Sequence, residues 1–197
     1  MIRRFVQRMA RPRQPQDWRA RVGGPGNVGR MIVRPERASD RPAVRHVHAT
    51  AFTTPDEADL VDALRALARP LVSLVAEADG VVVGHVMFSP VALPAHRELR
   101  LMGLAPLAVV PARQRSGIGS ALTRAGLERC RDLDVGAVVV LGHPDYYPRF
   151  GFTRADAFGI GCQFEAPPAA WMLLELVPGY LDGAGGTARW HAAFDAF

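Results

Sequence analysis

The residues best equipped for chemistry lie together at positions 107–120. Leu107-Ala108-Val109-Val110 is apolar and strand-like, and Pro111 stops it. Arg113-Gln114-Arg115-Ser116-Gly117-Ile118-Gly119-Ser120 then leads into a helix that starts near Ser116. Gly117 and Gly119 let backbone approach a ligand closely. Successive N–H groups at a helix start, reinforced by the helix dipole, favour negative charge, and Arg113 and Arg115 add cationic donors. The chemistry implied is the cradling of a phosphate or pyrophosphate. Spacing excludes two common versions of it. A P-loop requires G-x-x-x-x-G-K-[ST], and every one of the 24 basic residues is arginine. A dinucleotide fingerprint requires G-x-G-x-x-G early in a parallel βαβ unit, whereas the segments preceding this loop read as a hairpin.

The surrounding elements must deliver that loop. Residues 32–34 read as a short strand, and Val44, Val47, His48 and Ala51 repeat at helical spacing behind Ser39 as a cap. Thr54-Pro55-Asp56-Glu57 reads as a capping box around a first-turn proline, with Leu60, Val61, Leu64, Leu67 and Ala68 as the apolar face of a second helix. Residues 71–77 and 81–89 read as strands joined by Asp79-Gly80, a dipeptide suited to a tight hairpin. Residues 99–110 form the apolar strand that carries the cradle. The helix after it places Ile118, Ala121, Leu122, Ala125 and Cys130 inward and Thr123, Arg124, Glu128 and Arg131 outward. Residues 137–141 are a fully apolar strand, HPDYYPRFGF a turn or short helix interrupted by Pro148, and residues 171–177 a further strand. The glycine-rich end loops before laying Trp190 and Phe194 back on the body.

Composition limits the partners. With 49% apolar and 22% charged residues, the 197-residue chain is globular, long enough for one domain with a core, and without an apolar run of the ~20 residues that span a bilayer. The formal charge of +5 resides in residues 1–30, which hold eight arginines and the single acid Asp17; the remainder has 16 arginines and 18 acids, a balance of −2. The folded part therefore gives no electrostatic case for nucleic acid. Residues 1–30 read as a disordered extension, either upstream sequence from a misassigned start or a leader, with a nucleic-acid arm as the sharper alternative. Residues 31–197 form the domain, with its core at 31–177. Cys130 and Cys162 give neither a disulfide framework nor a zinc site, and a reducing cytoplasm fits them best.

Gln114-Arg115-Ser116-Gly117-Ile118-Gly119 resembles the acyl-CoA signature [RQ]-x-x-G-x-[GA] of the GNAT superfamily of N-acetyltransferases. The likeness extends to the preceding Leu107-to-Pro111 strand and to Tyr147-Pro148-Arg149-Phe150-Gly151-Phe152, which is similar to the family's Y-x-x-x-G-F. It also covers an element order β-α-α-β-β-β-α-β-α-β-β over residues 31–177. The closest likeness is to a bacterial subgroup with a G-H-P-x-Y-Y-x-R-F-G-F block and a P-G-x-L-x-G-x-x-G-T tail. The resemblance implies an α/β fold with a mixed, mostly antiparallel sheet flanked by helices and splayed central strands. It implies acetyl-CoA as co-substrate, no metal, and direct acetyl transfer to a primary amine of a small molecule or protein in a ternary complex, with a homodimer left open. Backbone groups of Leu107 and Val109, on either side of Ala108, would bind the pantetheine arm as an added strand. N–H groups from Arg115 to Ser120 would take the pyrophosphate, helped by the Arg113 and Arg115 side chains. Tyr147 would protonate the departing sulfur, a task a neutral phenol can perform at pH 7.

Plainer readings stand beside these. Tyr147 could anchor a turn through its ring and hydroxyl, with Tyr146 as the alternative acid. His143 and Asp145 suit local hydrogen bonds in a proline-flanked turn. His85 and Glu98 could relay a proton from the amine, while His48 reads as packed. Cys130 reads as a core residue, and nothing in the sequence activates Cys162. The rival class is a non-catalytic acyl-CoA-binding regulator that keeps the cradle without the chemistry.

Overall fold

The computed structural model describes residues 31–197, so the reading of residues 1–30 lies outside the described residues. The chain runs β1 (Met31–Pro35), α1 (Arg41–Ala51), α2 (Asp56–Leu67), β2 (Val72–Ala78), β3 (Val81–Ala92), β4 (Leu101–Val109), α3 (Ile118–Arg131), β5 (Ala137–Leu141), β6 (Thr153–Arg154), β7 (Ile160–Cys162), β8 (Trp171–Glu175) and β9 (Gly186–Trp190). The sheet order is β1-β2-β3-β4-β5-β8-β6, with β9 joined to the far end of β3 and β7 to β9. Only the β4–β5 and β7–β9 pairings described are parallel, so the sheet is mixed and mostly antiparallel, as expected. The β2–β3 hairpin turns at Asp79 and Gly80, whose φ values of 52° and 78° are those of a two-residue primed turn.

Strand alternation divides the core into two layers. On one face Met87 of β3 and Val139 of β5 meet Val44 of α1 and Leu60, Val61 and Leu64 of α2. On the other, Val86 and Phe88 of β3, Leu104 of β4 and Val138 of β5 meet Ile118, Leu122 and Leu127 of α3. The cradle helix thus occupies one face and the α1–α2 pair the other.

Several local expectations are corrected. Thr123, assigned outward, is fully buried, because its hydroxyl donates to the Gly119 carbonyl at 2.9 Å and needs no water. Ser39 does not cap α1; the Asp40 carboxylate instead accepts from the Arg37 N–H at 2.7 Å and from Arg34 at 2.6 and 2.9 Å. At α2 the Thr54 hydroxyl bonds the Glu57 carboxylate at 3.3 Å rather than the backbone, and Pro55 is the cap residue. The helix implied after β5 is replaced by two short 3-10 turns, Tyr147–Phe150 and Ala155–Phe158. Pro148 brings no N–H to the first, and Gly151, at φ 93°, ends it. Trp190 and Phe194 return to the body and are buried. The segment carrying Trp190 is a strand, paired with Val91 and Ala92 of β3 on one side and with β7 on the other. Among the described residues, no helix is long and apolar enough to cross a membrane.

Candidate functional site

The site begins where two strands part. β4 and β5 pair only through Leu101↔Ala137, Met102↔Val138 and Gly103↔Val139. Past Gly103, β4 continues to Val109 beside β3 alone. Between the pairs Val86↔Leu107 and Phe88↔Leu104, Met87 of β3 faces two residues of β4, Ala105 and Pro106. This is a β-bulge, which bends a strand and re-aims it. Pro106, with no N–H, has no ladder bond to lose there. The Val110 N–H donates to the Val83 carbonyl at 3.0 Å. By strand alternation, Ala108 turns its polar groups toward β3, while Leu107 and Val109 turn theirs to the open side. The Val109 carbonyl there accepts from Gln114 Nε2 at 3.0 Å.

The strand runs into a tight, exposed turn. Pro111–Arg113 is a 3-10 turn, closed by the Arg113 N–H on the Val110 carbonyl at 2.9 Å. Arg115 and Gly117 both adopt left-handed conformations, φ 61° and 89°, and the Ser116 hydroxyl donates to the Arg113 carbonyl at 2.6 Å. Such alternation of backbone handedness makes an anion-binding concavity of N–H groups. No side chain caps α3, and the Ala121 N–H reaches the Gly117 carbonyl at 3.0 Å. The N–H groups of Ile118, Gly119 and Ser120 therefore lie in the turn that has no intrahelical partners. Residues 111–117 are exposed while Ile118 is buried. The structure brings Arg113, Gln114, Arg115, Ser116 and Gly117 together on this turn; Ile118 anchors it from beneath and, like the buried Ala108, offers a ligand only backbone.

The turn after β5 supplies the tyrosines. A Cβ on Gly142 would overlap the Tyr147 ring, so the ring seats directly on backbone. Its edge meets Phe152, centroids 5.7 Å apart, and Tyr146, 5.0 Å apart. Tyr147 is buried, and no hydrogen bond of its hydroxyl is found among the described residues. Burial, with a smaller contribution from Tyr146, pushes the phenol pKa up. Tyr146 reaches the cradle itself: its hydroxyl lies 3.5 Å from Ser120 Oγ and 2.9 Å from where a Gly119 Cβ would stand. Arg149 stacks over the Tyr146 ring at 4.7 Å. Sequence spacing gave no sign of the Tyr146–Ser120 contact, which joins residues 26 apart.

The remaining candidates separate. His143 and Asp145 are exposed, and Arg149 donates to the Asp145 carbonyl at 3.2 Å, a local turn role. Glu98 is exposed beside His96, 3.5 Å away, and does not join His85. His85 is instead buried against His48, with Nδ1 2.8 Å from His48 Nε2. Cys130 is buried beside Met102, and burial pushes its thiol up to about 12. Burial also raises Cys162. Neither thiol is activated. Among the described residues, no group of three or more His, Cys, Asp or Glu side chains converges to hold a metal ion.

The arrangement therefore offers three things: an open strand edge for an extended chain bearing amides, an N–H cradle with arginines for a polyanion, and a buried phenol that keeps its proton. Comparisons with known proteins place this geometry. A family model described as an acetyltransferase (GNAT) domain matches residues 32–155. The chain is 40% identical over 145 residues to the uncharacterized N-acetyltransferase YjhQ of Escherichia coli K12, covering 70% of this chain and 80% of that protein. The crystal structure of the GNAT family N-acetyltransferase YhbS from Escherichia coli, in complex with CoA, superposes with a TM-score of 0.81 at 31% identity, covering 89% of this chain and 97% of that one. A GNAT family acetyltransferase from Brucella melitensis, in complex with acetyl-CoA, gives 0.70 at 38% identity, covering 84% and 99%.

Proposed function

Because the chain belongs to the GNAT acetyltransferase family, which its matching residues 32–155 establish, we propose that it transfers the acetyl group of acetyl-CoA directly to a primary amine of a small molecule or a protein. The observation that carries this reading is the continuity of an unpaired β4 edge with the left-handed turn and uncapped start of α3. Acetyl-CoA presents the matching sequence of groups, a pantetheine arm with two amides followed by a pyrophosphate, and supplies the activated acetyl. The two relatives solved with CoA and with acetyl-CoA support the same choice.

Each residue then has a task. Backbone groups of Leu107 and Val109 hold the arm as an added strand. N–H groups from Arg115 to Ser120 hold the pyrophosphate, with Arg113 and Arg115 adding charge. Gly117 and Gly119 keep the approach free of side chains. When the amine attacks, the C–N bond forms and the C–S bond breaks, and a proton must reach the leaving sulfur. Tyr147 donates it, since its raised pKa keeps the phenol neutral. Tyr146, with its hydroxyl against Ser120, closes the cradle over the phosphates.

Calorimetric titration of acetyl-CoA and CoA into the full chain, with a Gly117→Glu variant beside it, tests the cradle. We expect micromolar binding that the variant abolishes, because the glutamate places a carboxylate where the phosphates belong. Binding should then be followed by an amine screen read by release of the CoA thiol. Absence of binding to well-folded protein overturns the reading, and binding without transfer to any amine leaves the chain an acyl-CoA sensor.

A further inference from the structure

Two histidines outside the reaction described above form a buried chain with a defined polarity. His48 on α1 and His85 on β3 are both completely inaccessible, with His48 Nε2 2.8 Å from His85 Nδ1 and the rings nearly perpendicular at 77°. On its other side His85 Nε2 lies 2.9 Å from Ser73 Oγ. Ser73 in turn bonds the Glu36 carboxylate, which also accepts from Arg65 at 2.7 Å. Glu36 sets the direction of every proton in this chain. An ionised carboxylate only accepts, so the Ser73 hydroxyl donates to it and Ser73 Oγ accepts from His85 Nε2–H. His85 Nδ1 is then bare and accepts from His48 Nε2–H. His48 Nδ1 is left with an unshared lone pair, and it is a buried atom without a hydrogen-bond partner. Leaving such an acceptor unpaired costs about 1–3 kcal/mol, which calls for a use.

The position of the pair suggests one. His85 is in register with Ala108 of β4 and so shares its face, one strand from the open edge between β4 and β5. His48 stacks on Phe52, centroids 5.9 Å apart, at the start of the connection from α1 to α2. Resting on the amine-transfer reading, we propose that His48 is the general base of the reaction and that His85, Ser73 and Glu36 are positioning residues behind it.

The step balances in protons and electrons. His48 Nδ1 is enclosed in the free protein, so the bound amine, or one water with it, must first displace the packing around the ring; Nδ1 then takes one proton from the acceptor ammonium, freeing the nitrogen pair that forms the C–N bond as the C–S bond breaks. His48 passes its Nε2 proton to His85 Nδ1. His85 then carries both ring protons, its Nε2 3.8 Å from the Glu36 carboxylate. Glu36 stays ionised, as does the carboxylate behind the histidine of a Ser-His-Asp triad. The sulfur takes its proton from Tyr147, the second proton of the attacking nitrogen returns to the Tyr147 phenolate as the amide forms, and exchange with solvent removes the proton left on the histidines, which is the one proton the overall transfer releases. Burial lowers both imidazole pKa values, His85 and Arg65 lower that of His48 further, and Glu36 raises that of His85 against Arg65. Both rings are consequently neutral and able to accept at pH 7.

Two measurements on the full chain test this. Nitrogen NMR of histidine-labelled protein near pH 7 should show His48 and His85 each protonated at Nε2 and bare at Nδ1, a polarity that Glu36→Gln disturbs; a proton on His48 Nδ1 overturns the proposal even if transfer occurs. With an amine identified by thiol release, His48→Gln should lower kcat by about 10²-fold or more, with unchanged CoA affinity and a loss that shrinks as pH rises and solvent deprotonates the amine. A folded His48→Gln protein with kcat within two-fold of wild type and the same pH profile also overturns it. If His48→Gln fails to fold, the tautomer measured on the wild type decides. If CoA binds and no amine is acetylated, the amine-transfer reading fails and the base role falls with it, whereas transfer accompanied by a protonated His48 Nδ1 removes the base alone.

Discussion

Two adjacent tyrosines illustrate how burial decides chemistry at the scale of single residues. Tyr147 and Tyr146 differ by one position, yet the first seats on Gly142 with its ring enclosed and the second points its hydroxyl at Ser120. Tyr147→Phe keeps the ring contacts with Phe152 and Tyr146 and removes only the hydroxyl, so we expect unchanged CoA affinity and a fall in kcat of about 10²-fold or more. Equal turnover in the variant would assign Tyr147 to packing. The pH dependence has a defined sign. An ordinary phenol loses its proton near pH ~10; burial raises Tyr147 above that, so the proton donor persists as pH rises. The wild-type kcat profile should therefore show no loss of an acid up to about pH 10. Tyr147 could be singled out as a candidate because its spacing to Gly151 is a local pattern. The approach of Tyr146 to the cradle could not be read, because it depends on how β5 and α3 are juxtaposed across the sheet.

At the scale of elements, the turn that leads into α3 was legible for a simple reason: glycine and proline act within a few residues of where they stand. Pro111 ends β4, and Gly117 permits the left-handed start of α3. The hairpin at Asp79-Gly80 was equally local. What could not be read were elements stabilised by distant partners. β9 is five residues long and glycine-led, with too little alternation to announce a strand, and exists because β3 and β7 flank it. Thr123 is polar yet buried because its hydroxyl finds the carbonyl one turn back. The chain of His48, His85, Ser73 and Glu36 spans four separate segments and leaves no pattern in any of them. Gly103, the last residue of β4 paired with β5, is a further case of contact with a distant partner. A Cβ there would overlap the Trp190 ring that β9 lays across it, so Gly103→Ala should cost about 1–3 kcal/mol by overpacking. A lower thermal midpoint with disturbed Trp fluorescence would confirm it; an unchanged midpoint would mean that Trp190 moves aside freely.

At the scale of the whole molecule, buried charge links layers that the hydrophobic core only stacks, and this makes stability depend on pH with a definite sign. Burial alone would raise the pKa of Glu36, but its contact with His85 and its bonds from Ser73 and Arg65 together hold it at about 2. Those partners belong to β3, β2 and α2. Asp40, bonded chiefly to Arg34 of β1, is likewise held at about 2. A carboxylate lowered by folding contributes stability that is present above its unfolded pKa and lost as pH falls through the folded one. His48 and His85 act in the same direction: their pKa values are lowered from 6.5 by burial, so below that pH the unfolded chain binds protons that the folded chain refuses. Acid should therefore weaken the protein in two stages, the histidines first below about pH 6.5 and then the carboxylates below about pH 4.5, the latter on the order of 2 kcal/mol for Glu36. Urea unfolding of the full chain at a series of pH values from about 8 to 3 measures both. Glu36→Gln should lower stability at pH 7 and flatten the second stage, since the amide has no proton to take up. A wild-type profile that stays level down to pH ~3 would mean that these buried groups are not coupled to folding, whereas stability that falls as pH rises from about 4 to 7 would show Glu36 protonated in the fold and remove the carboxylate from which the polarity of the histidine chain is derived.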